Sequence, residues 1–81
     1  MSITQGKDTV LKNPEVLMTL DLKHDQEYHK GDILYCNTRF YRFIEHQTDV
    51  YCTDSLGYRT YLNLEDIQGY IPIQDHPELL L

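Results

Sequence analysis

The feature that most restricts the fold of this chain is the shortness of its apolar segments. No stretch keeps apolar residues at a 3.6-residue spacing through three turns, as an amphipathic helix of a globular domain requires. Instead, brief segments rich in β-branched and aromatic residues alternate with polar turn residues. A chain of 81 residues suffices for one domain. The pattern therefore predicts a single all-β domain of five or six short strands curled around one core.

The chain divides into three parts by composition. Polar residues and few apolar groups predict a flexible arm over residues 1–15. Residues 16–75 carry the predicted strands and form the domain. Residues 76–81 form a tail, which we expect to add at most one helical turn.

The first strand is predicted over Val16–Leu22, because side chains of different polarity alternate there. The alternation places Met18, Leu20 and Leu22 on one face of the strand and Leu17 on the other. This segment would start the sheet.

Five further strands are predicted after a polar loop. They share β-branched and aromatic residues and span residues 33–36, 40–45, 50–53, 58–62 and 69–73. Asp54–Gly57 is predicted as a hairpin turn, because Gly57 can adopt a positive φ. Asn63–Ile67 predicts a single 3₁₀ turn capped by Asn63. Pro72 confines the last strand to a sheet edge, because proline lacks the N–H that a central strand needs.

The order of these elements carries a family resemblance. Leu20-Asp21-Leu22 precedes a polar loop that ends in Tyr28-His29-Lys30-Gly31-Asp32-Ile33-Leu34. Gly57-Tyr58 follows Gly31 by 26 positions (57 − 31), before the 3₁₀ turn and the closing strand. This order resembles that of SH3 domains over about residues 16–73, and it implies a small five- to six-stranded SH3-like barrel.

Two points separate this chain from signalling SH3 domains. Gly69-Tyr70-Ile71-Pro72 is similar to their Gly-Tyr-Ile-Pro motif, but it lies 38 positions after Gly31 (69 − 31), which is too far. SH3 domains hold polyproline helices in a groove that includes Trp, and this chain contains no Trp. The resemblance therefore implies the fold and not the proline-rich ligand.

The charge of the chain disfavours some partners. Thirteen acidic and seven basic residues give a net charge of −6, which opposes non-specific binding to nucleic acids or anionic membranes. Negative charge of this size also keeps a small domain soluble. One alternative remains open, a nucleic-acid-binding barrel in which cations alternate with aromatic rings. Its candidate residues are Lys30, Arg39, Arg42 and Arg59 with Tyr35, Tyr41 and Tyr58.

The cysteine and histidine residues predict neither catalysis nor metal binding. Cys36 and Cys52 lie 16 positions apart (52 − 36) without a Cys-x-x-Cys pair, and His24 and His29 lack a second ligand cluster. Cys52 with His46 would be the candidate nucleophilic pair, but Cys52 sits in mid-strand, where a buried thiol is common. We therefore predict no enzyme and no cofactor. No signal-like apolar run follows the start, so we expect a cytoplasmic location and reduced thiols.

The leading functional hypothesis is a protein–protein interaction module with a tyrosine-rich, acid-fringed surface. Tyrosine offers a large contact area with few rotatable bonds, and the chain has seven of them. The predicted contact residues are Tyr28, Tyr58, Tyr61 and Tyr70, with the acids Asp49, Asp54, Glu65 and Asp66. The alternative is a small acidic inhibitor, such as phages and mobile elements encode, whose carboxylates imitate nucleic-acid phosphates.

Overall fold

The computed structural model describes Leu11 and residues 14–80, and its strands form one antiparallel sheet. The five strands are β1 (Ile33–Cys36), β2 (Arg39–His46), β3 (Val50–Thr53), β4 (Arg59–Leu62) and β5 (Gly69–Ile71). Their order is β4-β3-β2-β1-β5, so β4 and β5 are the two edges. The all-β prediction is confirmed, and so is the edge position of the strand before Pro72.

The parts of the chain outside the domain are described unevenly. Most of the predicted arm, residues 1–10 and 12–13, lies outside the described residues, as does Leu81. Pro77–Leu80 forms a 3₁₀ helix in the predicted tail. Within Leu11 and residues 14–80, no helix has the length and apolar character to cross a bilayer.

The prediction of a first strand at Val16–Leu22 is wrong. The chain forms a short helix α1 (Pro14–Leu17) there, and Met18 N–H donates to the Pro14 carbonyl at 2.8 Å. Proline is favoured at the first position of a helix, because its φ is preset and it has no N–H to satisfy. Leu17 is fully buried and Met18 is exposed, whereas Leu20 and Leu22 are half-buried, so the predicted grouping of Met18 with Leu20 and Leu22 does not hold. One helical turn satisfied the core better than the local two-residue alternation.

Each face of the sheet carries its own apolar cluster. On what we call the first face, Ile33, Phe40 and Ile71 pack against residues from outside the sheet, namely Leu11, Leu17, Ile73 and Leu79. On the second face, Leu34, Phe43, Val50, Cys52 and Tyr70 pack with Ile67. The sheet is therefore covered on both sides around β1, as a central strand rich in aliphatic residues requires.

The turns follow the sequence closely. Gly57 has a φ of 88° in the β3–β4 turn, where its N–H donates to the Asp54 carbonyl. The Asp54 carboxylate accepts hydrogen bonds from Leu56 N–H and Tyr58 N–H, each at 2.9 Å. The predicted 3₁₀ turn is present at Leu64–Asp66. The predicted capping by Asn63 is wrong, since its side chain donates to the Asp66 carboxylate instead of accepting a backbone N–H.

Asp32 is the one charged side chain found buried in the described part of the chain. Its two carboxylate oxygens accept hydrogen bonds from His29 N–H at 2.8 Å and from Ile73 N–H at 3.0 Å. Its carbonyl accepts from Phe43 N–H in β2. These bonds satisfy the buried charge and hold the polar loop, β1 and the segment after β5 together.

Candidate functional site

Two of the four predicted contact tyrosines lie inside the second-face cluster. Tyr70 is only 3% exposed, and the Tyr28 ring meets it edge-on with 4.9 Å between ring centroids. Tyr28 also packs on Phe43 at 5.4 Å. These contacts assign Tyr28 and Tyr70 to the packing of the loop on the sheet.

The Tyr70 hydroxyl has a structural partner. It donates a hydrogen bond to the Asp25 carboxylate at 2.5 Å, and the same carboxylate accepts Glu27 N–H at 3.1 Å. The Tyr70 hydrogen bond lowers the pKa of Asp25, while burial and this bond raise the pKa of Tyr70. The pair fastens the polar loop to β5.

The other two predicted tyrosines, Tyr58 and Tyr61, are exposed on the β3–β4 hairpin. Their side chains are 69% and 59% exposed. Tyr61 pairs with Tyr51 across the hairpin. Tyr58 lies two positions before Thr60, so the side chains of Tyr58 and Thr60 are on the same face, and Tyr61 is on the other. The two rings therefore lie on opposite faces, and the four predicted tyrosines do not form one surface.

Tyr61 belongs to a smaller aromatic group, which we call the hairpin patch: Tyr51, Arg59 and Tyr61. The rings of Tyr51 and Tyr61 stack with 5.3 Å between centroids and an interplanar angle of 23°. Arg59 places its guanidinium carbon 6.0 Å from the Tyr51 centroid. The sequence prediction missed Tyr51. A four-residue turn at Asp54–Gly57 would pair Tyr51 with Thr60, whereas the structure shifts the register by one residue and pairs it with Tyr61.

The hairpin patch lies on a part of the first face that the described residues of the flanking segments do not cover. By strand alternation it shares a face with Ile33 and Ile71, yet no patch residue belongs to either apolar cluster of the described chain. The covering residues Leu17 and Leu79 pack against the β1 side of the sheet. The Tyr61 ring is thus exposed, and the Tyr51 ring on which it stacks is half-buried.

The predicted acids lie at two ends of the hairpin. Asp49 and Glu65 line one open hollow of about 410 Å³ with Gln26, Thr48, Asn63 and Leu64. Asp66 is in the neighbouring 3₁₀ turn, and Asp54 is at the far end within the β3–β4 turn. Glu45, which the prediction did not include, pairs with Tyr51 and so borders the patch.

A second hollow of about 410 Å³ lies at the other end of the hairpin. Its wall includes Leu11, Pro14 and Phe40 on one side and Asp54 with Leu56 on the other. The Asp54 carboxylate is already engaged with two backbone N–H groups of the turn. This hollow supplies packing surface and a carboxylate with a structural role.

The two cysteine thiols have raised pKa values, whereas a nucleophilic cysteine needs a lowered pKa. Burial, followed by the neighbouring Cys36, raises the pKa of Cys52 to about 12, so almost none of it is thiolate at neutral pH. Burial also raises the pKa of Cys36. Both cysteines are free thiols. In Leu11 and residues 14–80, no group of three or more His, Cys, Asp or Glu residues is arranged to hold a metal ion.

The cations proposed for a nucleic-acid face do not lie on one surface. Arg42 is half-buried and donates to the Gly31 carbonyl at 3.1 Å. Strand alternation places Arg39 with Tyr41 on the second face, and Arg59 lies on the first. The basic stripe that nucleic-acid binding requires is therefore divided between faces.

No family model, curated protein or solved structure matches this chain. The hairpin patch and its acidic neighbours are the features of this chain that point to a function.

Proposed function

We propose that this chain is a protein–protein interaction module whose contact surface is the hairpin patch. The observation that carries this proposal is the exposure of Tyr61, which is 59% accessible although its ring already stacks on Tyr51. Two preordered rings offer a partner apolar area while losing little side-chain entropy on binding. Aromatic residues and arginine are also the side chains most enriched among energetically important interface residues.

The partner chemistry that suits this surface is a basic, partly apolar protein segment. Glu45 pairs with Tyr51, and Asp49 directly precedes β3, so carboxylates border the rings on the β2 side. A lysine or arginine of the partner would lay its aliphatic stem on the rings and direct its cation to these carboxylates. The net charge of −6 would also steer a basic partner toward the domain.

The finer fold and the location are part of the same proposal. We infer an SH3-like arrangement, which is supported by the polar loop before β1 and by the 3₁₀ turn between β4 and β5. We also propose a cytoplasmic location, in keeping with the free thiols of Cys36 and Cys52.

The nucleic-acid mimic receives less support from the distribution of carboxylates. Asp49 and Asp54 are five positions apart (54 − 49), roughly 17 Å along an extended strand at about 3.3 Å per residue. Asp54 is engaged in its own turn. A phosphate-like row would need regularly spaced carboxylates free to accept hydrogen bonds, and the hairpin instead places tyrosines between them.

The test begins with identification of a partner and ends with an affinity. Immobilised wild-type protein captures partners from source-cell lysate, and the captured protein is then purified and titrated by calorimetry. We expect Tyr61→Ala to weaken binding by about tenfold or more, which is about 1.4 kcal/mol or more. Binding should also weaken as salt rises, because a basic partner is attracted electrostatically.

Tyr58→Ala is the matched control, since Tyr58 is an equally exposed tyrosine on the opposite face. It should leave the affinity within about twofold. Equal affinities for wild type and Tyr61→Ala would refute the hairpin patch as the contact surface. A captured partner bound through oligonucleotide would instead favour the nucleic-acid alternative.

A further inference from the structure

The outer edge of β4 carries backbone groups that meet no backbone partner in Leu11 and residues 14–80. Asp54 N–H donates to the Tyr58 carbonyl, so these two residues form a hydrogen-bonded pair. Counting from Tyr58, every second residue along β4 directs its backbone N–H and C=O groups toward β3. Arg59 and Tyr61 therefore direct their N–H and C=O groups outward. Among the residues that the structure describes, no backbone partner meets these outward groups.

β4 carries only part of what usually protects an edge strand. Protected edges are very short, or carry proline, charged side chains (lysine above all), a bulge or a charge that points inward. β4 is short and has one charge, Arg59, whose side chain lies over the Tyr51 ring. It has no proline or lysine, and the sheet's irregularity lies between Phe43 and Glu45 in β2. An edge with so little protection is a template for another strand.

We propose that β4 pairs antiparallel with β4 of a second copy of this chain, across a two-fold axis at Thr60. In this register Arg59 lies opposite Tyr61 of the second copy, and Thr60 lies opposite its own equivalent. The outward groups of Arg59 and Tyr61 then form two fully hydrogen-bonded residue pairs related by the axis. The two sheets become one continuous sheet.

The side chains of β4 are complementary to themselves in this register. Each guanidinium of Arg59 lies beside a Tyr61 ring of the other copy, a favourable cross-strand cation–π pair. Two threonines face each other on the axis, and threonine pairs are also favourable. Two other registers keep the same outward residues. If the second copy is moved two residues toward the hairpin turn, Arg59 lies opposite its own equivalent. If it is moved two residues the other way, Arg59 lies opposite Asn63, which is beyond the end of β4.

Edge pairing leaves the open sheet face free and enlarges it. The two hairpin patches become neighbours on one surface, so that four tyrosine rings and two guanidinium groups form a continuous strip. A stable protein interface commonly covers about 800 Å² on each partner, more than three side chains supply. The dimer goes beyond the proposed function and does not depend on it, because the β4 backbone groups and the side chains of a second copy supply its contacts and no other protein is required.

The experiment measures self-association of the full chain and locates it by residue. Sedimentation equilibrium should show dimer formation between roughly 10 µM and 1 mM, the range expected for a small interface. Amide exchange of Arg59 and Tyr61, followed by NMR, should slow at least about tenfold from the lowest to the highest concentration. Higher salt should strengthen the dimer, since each copy carries a net charge of −6.

The decisive variants place a charged side chain at Thr60, on the proposed two-fold axis. Thr60→Lys places two like charges opposite each other and should weaken the dimer at least about tenfold. Thr48→Lys makes the same change in an exposed loop residue and should leave it unaltered. An equimolar mixture of Thr60→Lys and Thr60→Glu should restore association as a heterodimer.

Three outcomes overturn the proposal, and the first requires no variant. Wild type that stays monomeric at 1 mM, or a dimer without added protection at Arg59 and Tyr61, would show that the β4 edge does not pair. Failure of the Lys and Glu variants to associate, with both shown to be folded by dispersed NMR spectra, would place the axis elsewhere. Loss of partner binding alone would concern the proposed function and leave the dimer standing.

Discussion

The two edge strands of the sheet differ in the partners of their outward backbone groups. At β5, Lys23 N–H donates to the Tyr70 carbonyl at 2.8 Å, and Tyr70 N–H donates to the Lys23 carbonyl at 3.0 Å. Ile71 of the same strand is fully buried beneath the flanking segments. At β4, the outward groups of Arg59 and Tyr61 meet no such segment in the described chain, and the Tyr61 ring is exposed.

The contrast shows that this small domain places its apolar covering residues unevenly between the two ends of the sheet. A chain of 81 residues has a limited core, and most of its covering side chains are placed around β1 and β5. That end supplies stability, whereas the hairpin end retains rings and backbone groups for contact with other chains. Substitutions should therefore separate into those that unfold the domain and those that change only its surface.

The largest effect should come from truncating the buried edge. Ile71→Ala truncates a fully buried β5 side chain of the first-face cluster, and it should lower the free energy of unfolding by about 3 kcal/mol. Urea denaturation followed by circular dichroism measures this change. Val16→Ala, at an exposed helix position, should stay within about 0.5 kcal/mol. Equal losses for the two variants would contradict the assignment of stability to the β5 end.

The second-largest effect should come from the hydrogen bonds by which Asp32 joins the polar loop to the segment after β5. Asp32→Asn replaces one carboxylate oxygen by an amide nitrogen, so either His29 N–H or Ile73 N–H loses its acceptor. We expect a loss of about 2 kcal/mol in the free energy of unfolding, measured by the same denaturation. Asp75→Asn is the control, because Asp75 is exposed. A neutral Asp32→Asn would mean that the carboxylate does not hold the segment after β5.

At the open end, loss of a ring should barely affect folding. Tyr61→Ala removes an exposed side chain that stacks only on Tyr51, so the expected loss is below about 1 kcal/mol. Thermal unfolding of dilute, monomeric protein gives this value. A loss as large as that of Ile71→Ala would remove the distinction between the two ends.

The smallest effect should be electrostatic and confined to the loop. The Tyr70 hydroxyl holds the pKa of Asp25 below its ordinary value, so the bond contributes stability that is present at neutral pH and lost as the pH falls through that lowered pKa. Tyr70→Phe should raise the pKa of Asp25 toward the ordinary value of an aspartate. NMR titration of the Asp25 carboxyl in the two proteins measures the change. An unchanged Asp25 pKa would show that the hydrogen bond does not persist in solution.

Much of the sheet could be predicted because its determinants are local. β1, β3 and the β3–β4 turn coincide with the predicted segments, since residue alternation and Gly57 specify them over a few positions. The position of the turn did not fix the pairing across it, because a four-residue turn at Asp54–Gly57 pairs Tyr51 with Thr60, and the structure pairs it with Tyr61. The site was therefore predicted in part, through Tyr61 alone among the members of the hairpin patch.

The amino-acid sequence was enough to predict β1, β3, the β3–β4 turn and the all-β class, because backbone geometry and side-chain alternation act between near neighbours. Long-range packing was needed to specify that Val16 and its neighbours form part of a helical turn, that Tyr70 is buried and that Tyr61 is not. These outcomes depend on which distant segment covers which face of the sheet. A tyrosine suits a core and a surface equally well, so its role is set by packing between residues far apart in the chain.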